Sequence, residues 1–196
     1  MKNDSSFKIK RMAGMALLIA VVVALQMLAS FIRFGPFSVA LVLVPIVVGA
    51  SVYGPAAGAV LGGAFGAVVL INCANGADAG GHMLWLANPA LTAVLCMVKG
   101  VAAGLAAGFT YSALSKKNVY AGILCAAFVC PVVNTGIFIA AMVLFYRETL
   151  ALWAGGSPLI YYVFIVLTGV NFLLELGVNI LLGPGVVRVI NAVKRL

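Results

Sequence analysis

Residues 54–71 read GPAAGAVLGGAFGAVVLI, eighteen positions with no charge and a glycine at 54, 58, 62 and 66. Pro55 suits a first helical turn, where its missing N–H is not needed. Glycines four apart drift slowly around a helix, so they form one smooth stripe along an apolar rod. A rod of that length and composition is a membrane span. The rest of the chain agrees: of 196 residues, 65% are hydrophobic and 8% charged, with a mean hydropathy of +1.22. A soluble domain carries roughly a quarter charged residues. Too little polar surface is available to cover this chain in water, which excludes a cytosolic enzyme.

A hydrocarbon core about 30 Å thick takes about 20 helical residues per crossing, so the chain has room for six spans and no separate soluble domain. The expected fold is all-α, a six-transmembrane-helix bundle forming a single integral membrane domain over 1–196. Its spans are expected at 12–32, 37–53, 55–71, 90–114, 119–145 and 158–182. The first apolar run exceeds the roughly 7–15 residues of a signal-peptide core, so it is expected to be retained. Gly35-Pro36, Gly54-Pro55, Ser115 to Asn118 and Gly183-Pro184 punctuate the spans. The polar, glycine-rich stretch 72–82 reads as a loop. A short interfacial segment, 83–88, follows it, with Trp85 at headgroup depth. A polar loop with Arg147 and Glu148 precedes the sixth span.

Six spans put both termini on one side. That side collects Lys2, Lys8, Lys10, Arg11, Lys116, Lys117, Arg188, Lys194 and Arg195, against Arg33 and Arg147 on the other, with Lys99 inside a span. By the positive-inside rule both termini are cytoplasmic. The net charge of +8 thus reads as membrane topology, and no nucleic-acid partner is expected.

Small residues recur at the same spacing elsewhere. The fourth span carries Gly100, Gly104 and Gly108, and the first carries Ala16, Ala20 and Ala24. Such stripes let backbones approach closely in lipid. The glycines read as packing inside the bundle. The alanines read either so or as a docking face for another membrane protein. Cys73, Cys96, Cys125 and Cys130 lack metal-ligand spacing and read as small hydrophobes.

An ionisable group deep in a span costs at least about 2.5–3.5 kcal/mol and so faces a cavity or a counter-charge. Lys99 and Glu175 are the two cases, with Asn134, Thr135, Asn171 and Asn179 nearby in the spans. Thr92, Cys96, Lys99 and Ala103 share one helix face, as do Asn171, Glu175 and Asn179. At 1.5 Å per residue, Lys99 lies ~14 Å from its outer helix end, Asn134 ~17 Å, Asn171 ~20 Å and Glu175 ~26 Å. The first three could line one chamber open to the outside, with Glu175 at its floor. A buried Lys99–Glu175 pair holding two helices together is the plainer alternative. A proton relay lacks support, since the one histidine, His82, falls in the loop. Phosphate-binding loops, zinc-protease and CxxC motifs and a Ser/His/Asp set are all missing. No catalytic residue, cofactor or metal site is therefore expected, and the halves do not repeat one another as in common secondary transporters.

These patterns resemble the S components of energy-coupling factor (ECF) transporters, close to the riboflavin and pantothenate branch. The resemblance is carried by the Ala16/Ala20 stripe after a basic start and by Val44 to Ala50 running on to Gly54-Pro55. The glycine ladder of the third span, Lys99-Gly100 to Gly104, and Asn171 to Glu175 through Gly183-Pro184 add to it. It implies a subunit of an ABC-type importer of the bacterial plasma membrane that captures a water-soluble vitamin from outside. It also implies a T component and two cytoplasmic ATPase subunits as partners. By position, Ala16, Ala20 and Ala24 become T-component contacts. Lys99, Asn134, Asn171 and Glu175 become ligand candidates, with Trp85 and Asn88 as lid contributors. Lys99 suits anionic pantothenate, whereas Trp85, Phe138 and Asn134 suit a flavin. The competing class is an autonomous ion-coupled carrier or channel for a small polar solute, which would give flux from this chain alone.

Overall fold

The computed structural model of the chain describes residues 2–29, 33–34, 37–38, 42–158, 161–163, 169, 172–173, 176–177 and 181. Their elements, in order, are α1 (Lys2–Ala29), β1 (Arg33–Phe34), β2 (Phe37–Ser38), α2 (Leu43–Tyr53), α3 (Pro55–Asn75), α4 (Ala79–Ala87), α5 (Pro89–Leu114), α6 (Val119–Phe145) and α7 (Arg147–Ala154). Four of them, α1 from Lys8, α3, α5 and α6, are long and apolar enough to cross a membrane. The shorter α2 is also apolar. The sixth expected span, 158–182, lies largely outside the described residues, and so do Asn171, Glu175, Asn179 and Gly183-Pro184.

Helix boundaries follow residues that satisfy or remove backbone donors, an obligatory requirement where no water is at hand. Asn88 caps α5, its side-chain oxygen accepting from the N–H of Leu91 at 3.0 Å with Pro89 in the first turn. Asn118 caps α6 by accepting from the N–H groups of Tyr120 and Ala121. Gly54, at φ +94°, makes the sharp passage from α2 to α3 that an L side chain would strain.

Several expected boundaries change. The second span begins at Leu43, because Phe37 and Ser38 pair antiparallel with Phe34 and Arg33 instead of entering the helix. The stretch 72–82 is mostly helical: α3 continues through Asn75 and stops at Gly76 in the left-handed region, and α4 begins at Ala79. Asn72 and Asn75 are compatible with a helix once their neighbours are buried, and Gly76 is the stop signal. The interfacial segment expected at 83–88 is accordingly the second half of α4. The loop after the fifth span contains α7, a short helix burying Leu150 and Ala154.

Among the described residues the strongest packing is between α3 and α5, which run antiparallel. A Cβ on Gly58 would overlap the Gly104 carbonyl, one on Gly62 the Gly100 carbonyl and one on Gly66 the Cys96 carbonyl. The two glycine stripes read from the sequence therefore face each other and let the backbones touch. Among the described residues two apolar clusters result. The larger, with Leu43, Ile46, Leu61, Phe65, Ala103 and Ile123, joins α2, α3, α5 and α6. The smaller, with Leu84, Leu95, Met142, Tyr146 and Leu150, ties α4 and α7 onto the far ends of α5 and α6.

Candidate functional site

A small pocket opens on the seam between these clusters, at the end of the bundle away from the Lys116-Lys117 turn. Val69 and Cys73 come to it from the last turns of α3, and Asp78, Gly81 and Leu84 from α4 and its cap. Thr92, Leu95, Cys96 and Lys99 come from α5, and Phe138 from α6. The enclosed room is about 30 Å³, space for a couple of water molecules at ~10–15 Å³ each.

Lys99 is the half-buried cation of this pocket. Its Nζ lies 5.4 Å from the centre of the Phe138 ring and 5.9 Å from that of Phe65. Ring faces at such distances return about 0.5–2 kcal/mol each, which offsets part of the ~2.5–3.5 kcal/mol that a charge at depth costs. The Thr92, Cys96, Lys99 face expected from helical spacing does line the pocket, and Ala103 continues it as a fully buried residue.

Asp78 was not singled out by sequence reasoning, yet it is buried at 9% exposure in the pocket wall. One carboxylate oxygen accepts from the N–H of Gly81 at 2.9 Å and caps α4. The signal was present, an aspartate just ahead of an apolar run, but Gly80-Gly81 disguised the helix start. Gly81 is needed for packing as well, since a Cβ there would overlap the Cys73 sulfur.

α4 is fastened over the pocket from several sides. The His82 ring nitrogen Nδ1 lies 2.8 Å from the Cys73 carbonyl oxygen, and the Asp78 N–H donates to the Asn72 carbonyl at 3.1 Å. Both contacts serve carbonyls that the end of α3 leaves open. Trp153 of α7 donates its indole N–H to the Met83 sulfur at 3.1 Å. Thr92 donates to the Asn88 carbonyl at 2.8 Å, and its hydroxyl meets that of Tyr146 at 2.8 Å. The Tyr146 hydroxyl has one proton and two acceptors within reach, the Thr92 oxygen at 2.8 Å and the Asn88 carbonyl at 3.3 Å. Burial pushes the Tyr146 phenol above its ordinary pKa, while the bond to Thr92 works the other way. The hydroxyl keeps its proton at neutral pH.

The remaining site expectations are placed as follows. Asn134 is buried on α6, one turn from Phe138, and its side-chain oxygen has no hydrogen-bond partner among the described residues. An unmade bond of that kind costs about 1–3 kcal/mol. Trp85 packs half-buried against the larger cluster, and the Asn88 side chain is occupied as the α5 cap. Ala16, Ala20 and Ala24 are all exposed on α1. Cys73 and Cys96 line the pocket as free thiols, and no group of three or more metal-ligating side chains occurs among the described residues.

Among known families, the model for the ECF transporter substrate-specific component matches residues 10–187. None of the curated proteins matches the chain.

Proposed function

The chain belongs to the family of ECF transporter substrate-specific components and is a multi-pass protein of the bacterial plasma membrane; from this we propose that it captures a water-soluble vitamin, riboflavin or pantothenate foremost, at the outer face. Membership makes it a transport subunit whose family associates with a T component and ATPases. The observation that carries the reading is the half-buried Lys99 ammonium in a pocket at the end opposite the basic cluster.

The geometry supports the orientation. Arg11 donates to the Tyr53 carbonyl at 3.2 Å, and Gly108 of α5 packs against Pro55. Lys8, Lys10, Arg11, Lys116 and Lys117 therefore gather at one end, the cytoplasmic one by the positive-inside rule. The pocket then faces outward and the amino terminus lies inside, in keeping with the six-span topology with cytoplasmic termini expected from the charge pattern. Lys99 and Asn134 are the ligand contacts of the described part; Asn171 and Glu175, ligand candidates from the sequence, lie outside the described residues. The enclosed room is too small for a vitamin, so α4, carrying Trp85 and ending at Asn88, acts as a lid that shifts on entry. The exposed alanines of α1 dock on the T component, which works with two cytoplasmic ATPase subunits.

The test is binding by the purified chain in detergent, without ATP, of riboflavin or pantothenate, read by calorimetry. Vitamin uptake in cells should in addition require the ATPases. Flux in liposomes from this chain alone, driven by an ion gradient, would establish the autonomous carrier instead.

A further inference from the structure

Resting on the outward orientation of the capture reading, we infer that Cys73 and Cys96 are a redox pair in the pocket wall. Peroxide from the outer side joins them into a disulfide, which ties α3 to α5 and shuts the solute out. Cys73 lies in the last turn of α3 and Cys96 in the first half of α5. Both line the pocket, and their side chains share a hydrogen bond. The other two free thiols, Cys125 and Cys130, sit on α6 outside the pocket lining. Spacing along the chain makes Cys73 and Cys96 small apolar residues; the packing of two helices makes them neighbours.

The surroundings suit the pair to cross-linking. At Cys96 the α5 backbone already touches α3, since a Cβ on Gly66 would overlap the Cys96 carbonyl. Cys73 sits just ahead of Gly76, where α3 ends, and helix ends have the slack of fraying turns. The sulfurs can therefore close to the ~2.05 Å of an S–S bond. The enclosed room of about 30 Å³ admits molecules of the size of water. Hydrogen peroxide is little larger, whereas bulky disulfides are kept out.

The thiolate is the attacking form. One sulfur attacks a peroxide oxygen, the O–O bond breaks, and a sulfenic acid forms while the released hydroxide takes up the proton that sulfur gave. The second sulfur attacks the sulfenic sulfur, the S–S bond forms, and water leaves with the second thiol's proton. The two thiols lose two electrons and two protons, and peroxide becomes two waters. A thiol reductant that reaches the pocket reverses the step by exchange. The bond acts where α4 is fastened. His82 meets the Cys73 carbonyl at 2.8 Å, and the Cys73 sulfur fills the space that a Cβ on Gly81 would take. Drawing that sulfur to Cys96 fixes the end of α3 across the pocket, so α4 no longer shifts to admit a solute.

The test starts from the purified chain, fully reduced under inert gas. Hydrogen peroxide is added and then removed with catalase, and the cysteines are alkylated in denaturant and mapped by mass spectrometry. The expected product is a Cys73–Cys96 cross-link, lighter by two hydrogens and reversed by dithiothreitol. Calorimetry with riboflavin and pantothenate should show binding at least about tenfold weaker in the oxidised chain and recovered on reduction. Cys73→Ser and Cys96→Ser should each abolish that response, read as the ratio of affinities before and after peroxide. Four thiols still free in the treated wild-type chain would overturn the inference, as would a cross-link through Cys125 or Cys130. A Cys73–Cys96 link that leaves both affinities unchanged would overturn it too. A folded, reduced chain that binds neither vitamin would sink the capture reading and with it the shutting of the pocket, while the cross-link map still decides the pair.

Discussion

Replacing Gly62 by alanine should separate α3 from α5. The added methyl would overlap the Gly100 carbonyl oxygen and lie 2.6 Å from its carbon and 3.2 Å from the Val101 nitrogen. All three are backbone atoms that no rotamer change can move, so the helices must part locally and neighbouring glycine contacts loosen with them. Overpacking of this kind costs about 1–3 kcal/mol, against about 1 kcal/mol that alanine gains over glycine in helix propensity. Gly63 is the internal control. A methyl there meets the Val101 side chain at 3.5 Å and Met97 at 3.9 Å, ordinary contact distances. Gly63→Ala should therefore be neutral or stabilising by up to about 1 kcal/mol. The expected gap between the variants is about 2 kcal/mol, roughly thirtyfold in the unfolding equilibrium. Steric-trap unfolding in bicelles, or detergent melting followed by size exclusion, reads it directly. Equal stability of the two variants would refute the antiparallel glycine contact as the organising interface of the bundle.

Tyr146→Phe removes the hydroxyl shared with Thr92 and the Asn88 carbonyl while leaving the Thr92–Asn88 bond in place. Stability should fall by about 1 kcal/mol, and hydrogen exchange at the start of α5 should quicken. Asn118→Ala deletes the α6 cap and should lower stability by about 0.5–2 kcal/mol, measured by the same melting assay, with Asn118→Asp close to neutral. Ala20→Trp puts a bulky side chain on the exposed face of α1, so vitamin binding should survive while co-purification with the T component is lost. Loss of both would place the stripe inside the bundle.

The lining of the candidate pocket was half legible in the sequence. Lys99 stood out because a charge in an apolar span is expensive wherever it lies, and its alignment with Thr92 and Cys96 follows from the helical repeat alone. Asp78 did not stand out, because an acid in a polar, glycine-rich stretch is ordinary until the stretch folds into α4 and buries it. Nor could the Thr92–Tyr146 bond be foreseen, since 54 residues separate its partners. The use of the Asn88 side chain as a cap could not be foreseen either, because it depends on where α5 begins.

Membrane residence, the long apolar helices that became α3, α5 and α6 and the small-residue stripes were determined by the sequence alone. Burial in lipid is an additive property of composition, and helical periodicity is local. Which stripe meets which, with Gly62 against Gly100, and which polar groups share a pocket were decided only by the tertiary structure. Those outcomes depend on the relative rotation and depth of whole helices, quantities that no single segment encodes and that emerge when all of them pack at once.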